Sequence, residues 1–373
     1  GFTLYSGINV PSKAFGEAVE HHFATPSIDP VELKKMQDRG DDLVILDSRT
    51  FAEYRNMSIP GGVSVPGGEL AYRVRDFAPS PETTVIVNCA GRTRSIVGAQ
   101  SVINSGIPNR VLALENGTMG WHLAGLKLEH GRTDRYSDGD PSTMEAAETM
   151  RARIAQDYGI PSIDHETLAT WRAQADERTL YLLDVRDPGE YLAGHLPGAR
   201  SAPGGQLVQA TDFQIGVPSG RVVLIDDTGV RATMTAHWLV QMGYPEVYVL
   251  KGGVGPSGDL ESGPELRMAG ADVPLISPAE LAARMETDDV FVLDLGESRL
   301  HRKSHVPGAQ WAIRTRIAQT GPKLPDSGLV VLTSEDDAIA RLAVAETKSL
   351  TDAEVVVLAG GTNAWIDADM PSE

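Results

Sequence analysis

The sequence predicts an α/β protein made of three successive copies of one domain, each a parallel sheet covered by helices on both faces. Three observations lead there. An apolar strand ending in Asp occurs three times, at Leu43–Asp47, Leu180–Asp184 and Val290–Asp294. Each is followed by a polar helical turn, a Pro-Gly turn, a second strand, a loop, a helix, a further strand and a Gly-rich end. The copies start 137 and then 110 residues apart, which is the size of a domain and not of a solenoid repeat. Strands alternating with helices require crossover connections and hence parallel pairing. Runs of β-branched residues without alternation indicate strands buried on both faces.

The first 26 residues do not open a domain. Residues 1–7 resemble residues 125–131, which follow a domain's end, and a helix is expected after each, over Ser12–Phe23 and from Ser142. Ser142 with Glu145 three residues on reads as a capping box. Both helices lead into the words Pro-Ser-Ile-Asp, at 26–29 and 161–164. Residues 1–26 are therefore expected to be the tail and linker of a preceding domain. The expected order after them is a domain over 27–130, a linker with a helix over 131–161, and domains over 162–262 and 263–373. Each domain opens on a capped helix, at Asp29-Pro30, at Asp164, and at Ser277-Pro278 with Glu280 in the capping-box position.

The middle copy carries the fullest second motif, Asp184-Val-Arg186-Asp-Pro-Gly-Glu190-Tyr191-Leu-Ala-Gly-His195-Leu-Pro197-Gly198-Ala199. The first copy reads Asp47-Ser-Arg49-Thr-Phe-Ala-Glu53-Tyr54, with Met57-Ser58 where the middle copy has Gly194-His195. The third keeps Asp294, His305 and Pro307-Gly308 but loses the Arg and the Glu. Recurrence of the strand-end Asp suggests a hydrogen-bonding role in the loop framework. Recurrence of His195 and His305 before Pro-Gly suggests turn stabilisation. Arg49 and Glu53, four apart, are expected to pair with each other. Arg73 and Arg75 are expected on a solvated face.

Composition narrows the functional classes. The chain is 41% hydrophobic and 23% charged, as in soluble globular proteins, and no apolar run reaches membrane-spanning length. A net charge of −18 argues against nucleic acid or an anionic membrane as partner. One cysteine excludes a disulfide framework and a multi-cysteine metal site, and it fits a reducing, cytoplasmic compartment.

That cysteine, Cys89, stands where the strand Val85–Val87 ends and a helix begins; from Ser95 onward Ile96, Val97, Ala99, Val102 and Ile103 share a face. A lone cysteine is ordinarily a small buried hydrophobe. This one is followed by Ala90, Gly91, Arg92, Thr93, Arg94 and Ser95, the composition of an anion cradle. Backbone N–H groups of the turn point inward and two guanidiniums close the rim, stabilising a nucleophilic thiolate. The second copy has Asp227 and one Arg in this loop, and the third has Ser334 with three acids. Neither can host a thiolate, so both are expected to be chemically silent. Ser334 has no His base in a recognisable relation to it.

The Asp-Val-Arg…Glu-Tyr…Gly-His-Leu-Pro-Gly-Ala motif, the loop Cys89-Ala-Gly-Arg-Thr-Arg-Ser95 and the closing Gly360-Gly-x-x-x-Trp365 together resemble the rhodanese (sulfurtransferase) family, in three tandem copies. The resemblance implies a five-stranded parallel sheet per domain. It implies that Cys89 takes sulfane sulfur from a donor such as thiosulfate, becomes a persulfide, and passes the sulfur to cyanide or a thiol. Ala90 to Ser95 would bind the anion, with Asp47 and Arg49 supporting the loop, and no cofactor or metal is implied. Related phosphatases carry one residue more between Cys and Arg, and mercaptopyruvate-using relatives a more apolar loop, so the two arginines favour thiosulfate. The alternative is a non-catalytic module that senses anions or oxidants, or binds a sulfur carrier, through the same loop.

Overall fold

The structure, a computed structural model, describes residues 11–136, 141–255, 260–263, 272–287 and 289–373. The chain divides at residue 265 into two compact units. The first holds two five-stranded sheets and the second holds one.

In the first sheet, β1 (Ser27–Ile28), β2 (Leu43–Asp47), β3 (Gly62–Ser64), β4 (Thr84–Asn88) and β5 (Val111–Leu114) lie in the order β1-β5-β4-β2-β3. The other two sheets repeat this order with β6 (Ser162–Ile163), β7 (Leu180–Asp184), β8 (Arg200–Ser201), β9 (Arg221–Ile225) and β10 (Val247–Leu250), then β11 (Leu275–Ile276), β12 (Val290–Asp294), β13 (Gln310–Trp311), β14 (Leu329–Thr333) and β15 (Glu354–Leu358). All pairings are parallel; Asp47 pairs with Asn88, Asp184 with Ile225, and Asp294 with Thr333. From β2 the chain moves outward to β3, and from β4 it moves the other way to β5. The switch point of each sheet therefore lies between the ends of its two central strands, where such folds place their sites. Cys89 follows β4 at that point.

The helices between strands of the first domain are α2 (Pro30–Arg39), α3 (Phe51–Asn56), α4 (Leu70–Phe77), α5 (Thr93–Asn104) and α6 (Gly117–Leu123), with α1 (Pro11–Phe23) before them and α7 (Pro141–Asp157) after. The second domain has α8 (His165–Ala173), α9 (Pro188–Ala193), α10 (Gly204–Gln209), α11 (Thr211–Gln214) and α12 (Val230–Gln241). The third has α13 (Pro278–Thr287), α14 (Ser298–His301), α15 (Ile317–Thr320), α16 (Ala338–Lys348) and α17 (Gly361–Asp367). The expected caps form: Asp29 accepts from the N–H of Val31 at 2.7 Å, Asp164 from Thr167 at 2.8 Å, and Ser277 from Glu280 at 3.2 Å. Residues 1–7, on which the likeness to 125–131 rests, and the Ser142 side chain of the second capping box lie outside the described residues. No helix among the described residues is long and apolar enough to cross a membrane.

Helices α1 and α7, legible in the sequence only as connections, belong to the core of the two-domain unit. Val19 of α1 is buried in one cluster with Val97 and Val102 of the first domain and Trp238 of the second. Phe15 meets the Trp238 ring edge-on at 5.8 Å. In the same way Ala147, Met150 and Ile154 of α7 bury against Ala71 and Tyr72 of the first domain and Val230 and Met234 of the second.

Between the two domains the contacts come in reciprocal pairs. Pro66-Gly67-Gly68 and Pro203-Gly204-Gly205 follow equivalent strands. A Cβ on Gly67 would stand 3.1 Å from the Cα of Gly205, and one on Gly205 only 2.7 Å from the Cα of Gly67. The backbones meet because neither residue has a side chain. Gly205→Ala is therefore expected to lower the stability of this unit by about 1–3 kcal/mol in urea unfolding. Gly216→Ala, whose Cβ would meet an ordinary 3.7 Å contact, is expected to change it by less than about 0.5 kcal/mol.

Candidate active site

The site is built on the backbone first. The carbonyl of Cys89 accepts the N–H of Thr118 at 2.8 Å, and the carbonyl of Ala90 accepts that of Met119 at 3.1 Å. Both donors open α6. The chain can approach this closely because Gly117 has φ +55°, and a Cβ there would lie 2.2 Å from the Cys89 oxygen. On the other side, the N–H and the hydroxyl of Ser48 both donate to the Asn88 carbonyl at 2.8 Å. The Cys89 thiol held between these clamps is unbridged and buried.

Asp47 organises the neighbouring strand end, as its recurrence suggested. Its carboxylate accepts from the Arg49 N–H at 3.1 Å, from the Arg49 guanidinium at 2.8 and 2.7 Å, and from Asn88 Nδ2 at 2.9 Å. Arg49 therefore pairs with Asp47, and the expected Arg49–Glu53 pair does not form. Arg49 donates its remaining reach to the Met57 carbonyl at 2.6 Å, as Arg186 does to Gly194. The change from Gly-His to Met57-Ser58 leaves this backbone contact intact.

Glu53 has a different partner, the guanidinium of Arg94, at 2.8 and 2.7 Å. It also accepts the N–H and hydroxyl of Thr50 at 3.1 and 2.9 Å, closing a capping box on α3. Burial alone would raise the Glu53 carboxyl, but the Arg94 hydrogen bonds and charge and the Thr50 donors outweigh it and hold it at about 2. Arg92 is paired with Glu20 of α1. Thr93 begins α5 against Gly16 of α1, where a Cβ would lie 2.7 Å from the threonine methyl. Ser95 spends its hydroxyl on the Arg92 carbonyl at 2.8 Å, closing the turn. Gly91 carries its carbonyl towards Gly117, whose Cβ would lie 2.8 Å from it.

Sheet register aligns the three loops. Cys89 corresponds to Asp226 and Ser334, whose carbonyls receive the N–H groups of Val254 and Thr362 at 3.0 and 2.7 Å. Asp226, and not Asp227, thus stands in the place of the thiol. Its buried carboxylate accepts from the backbone N–H groups of Gly229 at 2.5 Å, Arg231 at 2.9 Å and Ala232 at 3.3 Å. The second domain has filled its own anion cradle. Burial pushes this acid up to about 6, against the charge of Arg231. By position the corresponding N–H groups in the first domain are those of Arg92, Arg94 and Ser95, with Arg92 at φ −123° where Gly229 is left-handed at φ +79°. In the third domain the Ser334 hydroxyl accepts from Ala340 at 3.3 Å.

Other sequence expectations sort as follows. His195 stacks on Tyr191 at 3.8 Å with Nδ1 at 2.8 Å from the Tyr191 carbonyl, and His305 Nδ1 lies 2.7 Å from the His301 carbonyl, which suits turn stabilisation. Arg73 and Arg75 are not on a solvated face. Arg73 is buried against Glu69 at 3.3 Å and over the Tyr72 ring at 4.2 Å, and Arg75 donates to the Ser105 carbonyl at 3.3 Å. Among the described residues no group of His, Cys, Asp and Glu could hold a metal ion.

The Glu53–Arg94 pair went unread, although its signal was present. Glu53 and Arg94 correspond to Glu190 and Arg231, which also pair, at 2.6 and 2.8 Å. In the third domain both positions change together, to Leu300 and Ile339.

Comparison with known proteins agrees with this geometry. The family model described as a rhodanese-like domain matches residues 29–124, 167–255 and 277–368. The chain belongs to the rhodanese family. A crystal structure of thiosulfate sulfurtransferase from Pseudomonas aeruginosa superimposes with a TM-score of 0.88 at 47% identity, covering 98% of this chain and 70% of that one. Thiosulfate sulfurtransferase GlpE of Pseudoalteromonas translucida is 26% identical over 90 residues, 24% of this chain and 83% of the relative. The uncharacterized protein YqhL of Bacillus subtilis is 37% identical over 89 residues, 24% of this chain and 68% of the relative. This chain thus holds three rhodanese-like domains in tandem, one of which carries the cysteine.

Glu53 contributes stability that is present above the ordinary carboxylate pKa of about 4.3 and is lost as pH falls through about 2. Melting temperature measured between about pH 5 and about pH 2 is expected to fall more steeply in the parent than in Glu53→Gln.

Proposed function

We propose that this rhodanese is a sulfurtransferase working through Cys89, with thiosulfate or a similar anion as donor and cyanide or a thiol as acceptor. The observation that carries the reading is the Asp226 carboxylate held by three backbone N–H groups in the second domain. It is an internal anion at the position equivalent to Cys89, on a strand end whose carbonyl is clamped in the same way. A thiolate or persulfide at Cys89 would draw on N–H groups at the equivalent positions of its own loop. The names of the thiosulfate sulfurtransferases similar to this chain support the same class.

The Cys89 thiolate attacks the sulfane sulfur of thiosulfate. A bond forms between Sγ and that sulfur, the sulfur–sulfur bond of thiosulfate breaks, and sulfite leaves with the electron pair. Arg94, oriented by Glu53, stabilises the charge on donor and leaving group, and the N–H groups of Arg92, Arg94 and Ser95 face the persulfide. Gly91 keeps the turn open to the anion, while Ala90 and Thr93 shape its wall. The acceptor then attacks the outer sulfur, leaving as thiocyanate or as a new persulfide, and the Cys89 thiolate is restored. Asp47 and Arg49 keep the strand end in place. The second and third domains, lacking a thiol, serve as scaffold.

Incubation with thiosulfate, desalting and intact-mass measurement are expected to show a gain of one sulfur atom, removed by cyanide and absent from Cys89→Ser. No gain while Cys89 still alkylates would refute the assignment. Arg94→Gln is expected to raise KM for thiosulfate about tenfold to a hundredfold, the loss of one charged hydrogen-bonding partner, in steady-state thiocyanate formation.

A further inference from the structure

The reciprocal contacts between the first two domains give each residue of one interface strip a counterpart in the other. Glu69 and Gln206 are counterparts, each three residues after its proline (Pro66, Pro203). Glu69 crosses to the second domain and meets Arg231 Nη1 at 2.7 Å. Arg231 is also gripped by Glu190 at 2.6 Å and Asp227 at 2.7 Å, and its side chain is wholly buried. Three carboxylates surround this guanidinium, and one of them, Glu69, is shared with Arg73 at 3.3 Å, whose counterpart in the second domain is Ala210.

The corresponding positions around Arg94 are occupied differently. Glu190 has its counterpart in Glu53, and this pair is kept at 2.7 Å. Asp227 has its counterpart in Ala90, and Glu69 in Gln206, so two of three carboxylates have become neutral. The Arg94 side chain keeps 10% of its exposure, against 0% for Arg231. Among the described residues the amide nitrogen of Gln206 is buried without a hydrogen-bond partner. Gln206 also lines a cleft of about 380 Å³ between the domains, beside Thr50 and Phe51, which lead into Glu53.

We propose that Gln206 of the second domain is a positioning residue for the Cys89 site: by being neutral where its counterpart is a glutamate, it leaves Arg94 able to hold an anion at the thiol. This deepens the reading above, on which that anion is the sulfur donor. It also explains how a chain of net charge −18 admits an anion at all. The global field repels the ligand, and the local absence of two carboxylates lets one guanidinium act.

The full chain with Gln206→Glu and with Gln206→Leu tests this. Cys89 is the one cysteine, so alkylation reports that site alone. Rates with anionic iodoacetate and neutral iodoacetamide are measured, together with KM and kcat for thiosulfate. Gln206→Glu is expected to lower the iodoacetate-to-iodoacetamide rate ratio about tenfold and to raise KM by a similar factor, with kcat changed less. Gln206→Leu is expected to keep the ratio within about twofold. An unchanged ratio in Gln206→Glu, or an equal loss in both variants, overturns the proposal, since packing alone would then account for it. If the parent takes no sulfur from thiosulfate yet the ratio still falls in Gln206→Glu, the donor assignment fails and the role of Gln206 stands.

Discussion

The carbonyl of Cys89 accepts the Thr118 N–H at 2.8 Å, and the same backbone bond ties Asp226 to Val254 and Ser334 to Thr362. In each case a glycine with φ between +54° and +67° brings the chain after the following strand up against that carbonyl. The loop after the central strand is thereby pinned at the sheet's switch point before any side chain is chosen. What varies between the domains is the group on the pinned residue: a thiol, a carboxylate or a hydroxyl. One frame can serve a reactive sulfur or an inert internal anion, because the frame is made of main chain.

Around this frame the charged groups come as coupled sets. The strand-end aspartate takes the arginine two residues on in the first two domains. In the third, where Gly296 replaces that arginine, Asp294 takes His301 Nδ1 at 2.8 Å instead. Glu53 with Arg94 and Glu190 with Arg231 repeat one geometry, and the third domain drops both members for the exposed Leu300 and Ile339. Losing both partners together avoids leaving a charge half-buried and unpaired, which is the costly outcome. The thiol-bearing domain keeps its cation with one carboxylate, and the second domain surrounds its cation with three.

The first two domains act as one body because small residues allow it. The glycines at 67, 68, 204 and 205 bring the two backbones into contact, and α1 and α7 each cover the seam from opposite domains. Glu20 of α1 reaches Arg92 in the active loop. The loop after Cys89 is therefore set partly by a helix preceding its domain.

Much of this was legible in the sequence. The strands Leu43–Asp47, Leu180–Asp184 and Val290–Asp294 were read at their observed bounds, because an apolar run closed by Asp is a local signal. The location of Cys89, the framework role of Asp47, the helix caps and the tandem domains were equally local, since each rests on spacing and turn chemistry within a few residues. Partner choice was not local. Arg49 sits four residues from Glu53 yet binds Asp47, because Glu53 is drawn across the switch point to Arg94, where strand order sets β2 beside β4. Glu69 and Arg231 are 162 residues apart and meet only through domain packing. Arg73 reads as a surface cation and is buried against Glu69 and the Tyr72 ring. Sequence pattern alone determines which elements form and where the cysteine stands. Only the tertiary structure decides which charges face it, since electrostatic partnership depends on distance in space.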